Sequence, residues 1–380
     1  MDIEQGVLET DTNSERVGSA LQSLVRWLLS KPVLRTAETG AGVVNWLTSD
    51  GQWDGLYPEI CGYYLQFLAQ AAPATGTGRD TSFRAAAAAV AAWLDAVGGD
   101  AAEPPTLYQS DMAEPDWRNR CLFAFDLAII VRGFAVAEAR WPGSIPTGVS
   151  GRYATSLLRI VENGRLASHL LRPGASSADI PIKWSTRKGV LHVKAAAALA
   201  GLGRHDMDAI ARATISDEAA LFAHGGEARM RELHPFLYFV EGWLTLWGQT
   251  EDQHALANAR RAFGMVLGQI DPLSGEAPPI ANARDAVTRT DVLAQALRAG
   301  LVLEAAGQLT DELGEMWPPR RRALQAAVLE RISPEGGVIF DRVGGHRNTW
   351  ASMFAWQALR FLRDAQMGKL DPIASAAALI

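Results

Sequence analysis

His234-Pro235-Phe236-Leu237-Tyr238-Phe239-Val240-Glu241-Gly242-Trp243-Leu244-Thr245-Leu246-Trp247 is apolar on nearly every side of a helix, and the stretch that follows it is not. From Asp252 to Gln269 the residues DQHALANARRAFGMVLGQ put charge on one face and Ala, Phe, Val and Leu on the other. A helix that is apolar all round is buried, whereas one with a polar face lies between a core and water. This stretch therefore describes an inner helix, a polar turn and an outer helix.

The same unit recurs along the chain. Apolar segments at Glu59–Gln70, Leu122–Ala139, Leu191–Leu202, Phe236–Gly248, Asp291–Ala306 and Trp350–Ala365 alternate with amphipathic ones. The amphipathic partners are Arg16–Leu29, Thr81–Val97, Gly151–Ala167, Met207–Ala223, Asp252–Gln269 and Arg320–Arg331. A lone hairpin cannot bury its apolar face, so such units must stack. The pattern predicts an all-α (α/α)6 toroid, with six inner helices forming a barrel inside six outer ones. It occupies residues 16–366 as one domain, after a flexible acidic stretch at 1–15 and before a loosely held tail at 367–380. Short hairpins are expected in the loops at Gly42-Val43-Val44 and Gly337-Val338-Ile339-Phe340.

Composition narrows the function classes. Of 380 residues, 48% are hydrophobic and 21% charged, enough for a large core. A net charge of −6 offers no basic footprint for nucleic acid. No apolar run is long enough to span a bilayer, and MDIEQGVLETDTNSERVGSA has no secretory pattern, so a cytoplasmic location is expected. Two cysteines, Cys61 and Cys121, cannot form a disulfide framework. Both fall near the starts of inner helices, where His192 or His234 could join them around zinc. Without CxxC or HExxH spacing they read as small core residues, and no metal is expected. With no G-x-G-x-x-G after a strand and no P-loop, no nucleotide cofactor is expected either.

In a toroid the loops preceding the inner helices converge on one rim. Here they share a composition: Asp50 to Glu59 contains Trp53, Asp54 and Tyr57, and Asp116 to Arg120 contains Trp117 and Arg118. Ile182 to Lys188 contains Trp184 and Arg187, 283–290 carries Arg284, Asp285 and Arg289, and Gly345 to Trp350 contains His346 and Arg347. Flat indoles stack on the C–H faces of sugar rings, and arginine forks hold hydroxyls or carboxylates. Trp53, Asp54, Tyr57, Trp117, Arg118, Trp184, Arg187, His346, Arg347 and Trp350 are the candidate substrate contacts. Tryptophans placed there by ordinary packing are the plainer alternative.

Acids inside apolar helices are the candidate catalysts. Asp126 and Glu241 lie well within apolar segments, where burial without a partner raises a carboxyl pKa. A raised carboxyl is what protonating a glycosidic oxygen requires. Glu59 and Asp291 open inner helices and fit equally well as partners of free helix N–H groups. His234 is seven residues from Glu241, on one face of the fourth inner helix, and suits proton transfer or capping.

Tyr57-Pro58-Glu59-Ile60-Cys61-Gly62-Tyr63-Tyr64 resembles a Tyr-Pro-Glu-(Ile/Val)-Thr-Gly-Tyr segment of six-hairpin toroid proteins encoded beside bacterial polysaccharide genes. Phe125-Asp126 with Arg132-Gly133, Tyr238 with Glu241-Gly242, and Asn348-Thr349-Trp350-Ala351 resemble other inner-helix motifs of that carbohydrate-active group. Cys61 stands where that pattern has Thr. The resemblance implies a toroid acting on a sugar or glycoconjugate, without fixing the reaction.

Together these features predict an enzyme that cleaves or isomerises a sugar, with Asp126 and Glu241 as the acid/base pair, supported by Glu59, Asp291 and His234. The alternatives are a toroid that binds glycans without catalysis and a zinc-dependent toroid modifying a peptide or isoprenoid. Nothing in the pattern fixes an oligomeric state.

Overall fold

The computed structural model describes residues 2–73, 78–108, 116–283 and 287–380, with backbone alone at 2–13, 79 and 226–229. Its helices alternate between two rings, as an (α/α)6 toroid requires. The inner ring is α2 (Pro58–Ala71), α4 (Ala124–Arg140), α6 (His192–Leu199), α8 (Leu233–Thr250), α10 (Thr290–Ala305) and α12 (Thr349–Gln366). The outer ring is α1 (Asp2–Leu28), α3 (Gly78–Gly98), α5 (Val149–Leu158), α7 (His205–Arg229), α9 (Gln253–Leu267) and α11 (Asp311–Glu330). Inner helices are buried along most of their length, α8 from Leu233 through Thr245 without a break.

Small residues let the inner helices approach. A Cβ on Gly133 of α4 would lie 2.5 Å from the carbonyl oxygen of Gly62 on α2, so neither position has room for a side chain. The contact joins two of the quoted motifs, with Gly62 in one and Gly133 in the other.

The loops hold short antiparallel strands. β1 (Leu34–Ala37) pairs with β2 (Gly40–Val43). β3 (Trp46–Leu47), β8 (Val338–Ile339) and β9 (Arg347–Asn348) form a three-stranded sheet in the order β3-β9-β8, tying the loop before α2 to the loop before α12 and closing the ring. Thr290, at the head of α10, joins that seam by donating its backbone N–H to Phe340 over 2.8 Å and its hydroxyl to the Ile339 carbonyl over 2.6 Å.

Besides α1, which begins at Asp2 although a flexible stretch was expected up to residue 15, four expectations change. Residues 122–123, expected to open a helix, belong instead to β4 (Cys121–Phe123), which pairs with β7 (His169–Leu171); α4 begins at Ala124. The outer helix expected to reach Ala167 stops at Leu158, because Asn163 and Gly164 take positive φ (51° and 75°) in the turn between β5 (Val161–Glu162) and β6 (Arg165–Leu166). Helix α11 starts at Asp311, well before the expected Arg320, and carries Pro318 and Pro319 inside it. Prolines that read as a break are tolerated here with Trp317, 1% exposed, packed on Gly300 of α10.

The fourth change is the tail. Residues 367–380 are not loosely held: α13 (Pro372–Ala377) packs against α8, and Leu379 and Ile380 are buried. Gly248 of α8 leaves space for the Ala377 backbone, since a Cβ there would meet the Ala377 nitrogen at 2.2 Å. The segment fills the C-terminal end of the barrel, opposite the loops described above.

Candidate functional site

At the other end of the barrel, the N-terminal turns of the inner helices and their preceding loops enclose two adjoining cavities of about 290 and 280 Å³. They share Tyr57, Glu59, Arg118 and Trp184 as a common wall and so make one cleft. Tyr63 and Tyr238 lie at its floor, with Asn45, His234, Arg289, Phe340 and Trp350 around one lobe. Trp117, Phe123, Phe125, Asp126, Lys183 and Ser185 surround the other.

Two carboxylates stand in the wall. Glu59 occupies the first turn of α2 behind Pro58, which needs no N–H partner at that position. Asp126 sits in the first turn of α4 and not well inside the helix, because the strand at 121–123 delays it. Burial pushes the Asp126 carboxyl up to about 7, against the pull of Arg118. Burial, reinforced by the negative charge on Asp126, holds Glu59 well above the usual carboxylate range, with Lys194 and Arg118 opposing. Two acids that share a desolvated site resist ionising together, which keeps a proton available near neutral pH.

The neighbouring cation is fixed. Arg118 donates from Nε and Nη2 to the two oxygens of Asp116, each over 2.8 Å, and its guanidinium lies 5.7 Å from the centre of the Tyr57 ring. Asn119 braces this short helical turn by accepting from the Leu107 N–H over 2.9 Å.

A second forked pair faces the first lobe. Arg289 holds Asp291, which also receives the Trp350 indole N–H over 3.1 Å. His234 Nδ1 lies 3.2 Å from Asp291 Oδ2 and 2.8 Å from Gln295 Oε1. Both neighbours accept, so Nδ1 carries the proton and Nε2 the lone pair. Burial drives the imidazole pKa down to about 4, despite Asp291. Burial alone would raise Asp291, but Arg289 and His234 outweigh it and keep the carboxyl below the usual range. The ring is thus a neutral base in a fixed tautomer, packed against Tyr238 at 4.5 Å between ring centres.

Glu241 lies elsewhere. It is fully buried beneath the cleft floor, with Lys194 Nζ 2.6 Å from Oε2 and Arg298 Nε 2.7 Å from Oε1. Both cations also donate to the Ile380 carbonyl, over 2.6 and 2.9 Å. Burial opposes ionisation of Glu241, but Arg298 and Lys194 prevail and hold its carboxyl below the usual range. The face shared by His234 and Glu241 thus spans two layers, with His234 in the cleft and Glu241 below it.

The other sequence candidates divide in the same way. Tyr57, Trp117, Arg118, Trp184 and Trp350 line the cleft. Asp54 supports it from behind, accepting from Asn45 over 2.7 Å, with its carboxyl raised by burial. Trp53 lies outside, 37% exposed with Arg35 over its ring, and Arg187 is exposed on its loop. Arg347 donates to the Thr48 carbonyl and His346 stacks on Phe340, so both serve the ring-closing sheet. Residues 284–286 lie outside the described residues. Cys61 and Cys121 are buried free thiols, and burial pushes Cys61 up to about 12. Among the described residues no three His, Cys, Asp or Glu side chains gather as metal ligands. No described helix is long and apolar enough to cross a membrane.

Sequence reasoning did not single out Arg289, Tyr63, Tyr238 or Asn45. For Arg289 a signal was present: Arg-x-Asp at 289–291 mirrors Asp-x-Arg at 116–118, and both spacings form a fork.

No family model and no curated relative matches the chain. Solved structures do. A D-mannose isomerase superposes with a TM-score of 0.66 at 11% identity, covering 90% of this chain and 97% of that one. An unsaturated glucuronyl hydrolase specific for heparin gives 0.64 at 12% identity, covering 95% and 99%. The cellobiose 2-epimerase from Spirochaeta thermophila gives 0.65 at 13% identity, covering 94% and 98%. At such identity the likeness establishes the fold, the (α/α)6 toroid.

Proposed function

We propose that this chain is a carbohydrate-active enzyme that acts on a sugar or glycoconjugate by carboxylate acid–base catalysis in the cleft between Trp117, Trp184 and Trp350. The observation that carries this reading is the pairing of Glu59 and Asp126 in one desolvated wall, both raised above the usual carboxylate range. Asp126, with a pKa of about 7, is the proton donor, and Glu59 is its partner. Trp184 separates the two lobes, where it can stack on a ring spanning both. Arg118 and Arg289 face the cleft from opposite sides and orient hydroxyl or acidic groups. Neighbours of the same fold that are named for isomerisation, epimerisation and hydrolysis of sugars are consistent with such a cleft.

A second reading has its own support. His234 presents a neutral imidazole whose Nδ1 is held by Asp291 and Gln295, leaving Nε2 as a base for removing a proton from carbon. Isomerisation or epimerisation then replaces cleavage.

One experiment separates the two. The protein is incubated with a panel of uronate-containing and neutral oligosaccharides in D₂O. New reducing ends identify hydrolysis, and deuterium fixed on carbon identifies isomerisation or epimerisation. Turnover lost in Asp126→Asn supports the first reading and turnover lost only in His234→Gln the second. Sugar binding without either product assigns the cleft to recognition alone.

A further inference from the structure

Where the first and last ring helices meet, α1, the end of α2 and the last turns of α12 surround a cavity of about 660 Å³. It is remote from the cleft: at 1.5 Å per residue, α12 carries Arg363 about 20 Å along its axis from Trp350. Arg26 of α1 and Arg360 and Arg363 of α12 line the hollow, with Leu21, Val25 and Trp356 forming an apolar side.

Charge there is unbalanced. Asp364 lies 3.6 Å from Arg360 and 3.3 Å from Arg363, while Arg26 has no ion-pair partner among the described residues. Arg360 is fixed in place: it donates to the Gln70 carbonyl over 3.0 Å and lies 5.5 Å from the centre of the Trp356 ring. Burial pushes its guanidinium below the ordinary range, Asp364 opposes this, and neighbouring Arg363 adds to it.

Arg360 and Arg363 share the one carboxylate of Asp364, so with Arg26 the hollow keeps an excess of positive charge that favours an anion. Guanidinium forks match pairs of phosphate oxygens, and a cavity of this size accommodates more than a bare ion. We propose that this hollow binds a phosphorylated small molecule. Its phosphate groups are held among Arg26, Arg360 and Arg363, and its remainder lies against Leu21, Val25 and Trp356. The site is separate from the cleft, and its occupancy does not depend on the reaction there.

The test is isothermal titration calorimetry of the full chain with inorganic pyrophosphate, at ionic strength matched with chloride. Saturable binding at one site per chain is expected, weakened at least about tenfold in Arg26→Gln/Arg363→Gln. Gln22→Glu adds a repelling charge at an exposed position on the same wall without removing an arginine, and it should weaken binding at an unchanged melting temperature. The proposal is overturned if pyrophosphate gives no saturable heat. It is equally overturned if wild type, R26Q/R363Q and Q22E bind alike, which would place any binding at another cationic site such as the cleft.

Discussion

Lys194 Nζ lies 2.6 Å from Glu241 Oε2 at the centre of the barrel, with side-chain exposures of 4% and 0%. A carboxylate that sequence alone marks as catalytic is thus the hub of a buried ion cluster under the cleft. Removing one partner strands the other's charge away from water. Glu241→Gln should therefore lower the unfolding free energy by about 3–5 kcal/mol in urea titrations. Sugar affinity of the protein that remains folded should stay within about twofold of wild type. A Glu241→Gln protein of undiminished stability that no longer turns over substrate would return Glu241 to the catalytic set.

Asp126→Asn should separate activity from stability. As the proposed general acid, Asp126 would supply roughly 10²–10⁴ in rate, which the amide would lose. Its folded pKa of about 7 exceeds the ordinary 3.8, so the unfolded chain releases this proton first as pH rises. The resulting cost to folding is absent below about pH 4 and complete above about pH 7. The variant should accordingly be more stable than wild type at pH 8, by about 1–2 kcal/mol after allowance for solvent, and no more stable at low pH. Thermal melts across that range decide the matter. Loss of stability at pH 8 would make Asp126 structural.

His234 has the opposite pH signature. Its pKa falls from the ordinary 6.5 to about 4 in the folded chain, so the unfolded state takes up its proton first as pH falls. Folding stability should decline between about pH 6.5 and pH 4, and His234→Gln should flatten that decline. Asp291→Asn removes an acceptor that fixes the Nδ1 tautomer, so it should slow any reaction that uses His234. A pH–stability curve identical in wild type and His234→Gln would remove the argument.

Among the tryptophans, Trp184 and Trp53 should behave differently. Trp184 borders both lobes, so Trp184→Ala should weaken sugar binding about tenfold, equivalent to about 1.4 kcal/mol. Trp53→Ala, on the exposed loop surface, should leave affinity unchanged. Equal losses measured by calorimetry would show that the sugar extends beyond the cleft described.

The architecture was legible because inner and outer helices bury different fractions of their surface, and that difference is written residue by residue in stretches such as 234–247 and 252–269. Termini of elements were less so, since 121–123 joins a strand through a pairing partner some fifty residues away, which no local pattern records. The cleft aromatics Tyr57, Trp117, Trp184 and Trp350 followed from their place before inner helices. Depth did not. Helical spacing puts His234 and Glu241 on one face, but only the packed barrel reveals that His234 borders the cleft while Glu241 lies below it, with Gln295 bonded to both. Lys194 was invisible for the same reason: a lysine among alanines at 192–198 gives no sign of the carboxylate opposite it.

The segment 372–380 gives the toroid an unusual order of assembly. Ile380 completes the shells of Lys194 and Arg298, and the Ala378 carbonyl accepts from Gln70, 308 positions earlier. During synthesis all twelve ring helices leave the ribosome before this segment does. Until it arrives, the barrel holds charged side chains in an open, hydrated shaft. A nascent ring therefore has no dry interior to commit to, and its cooperative closure is deferred to the moment residues 372–380 dock. Released chains that end at residue 371 and at residue 380 should differ sharply in protease resistance, although only the short segment 372–380 separates them.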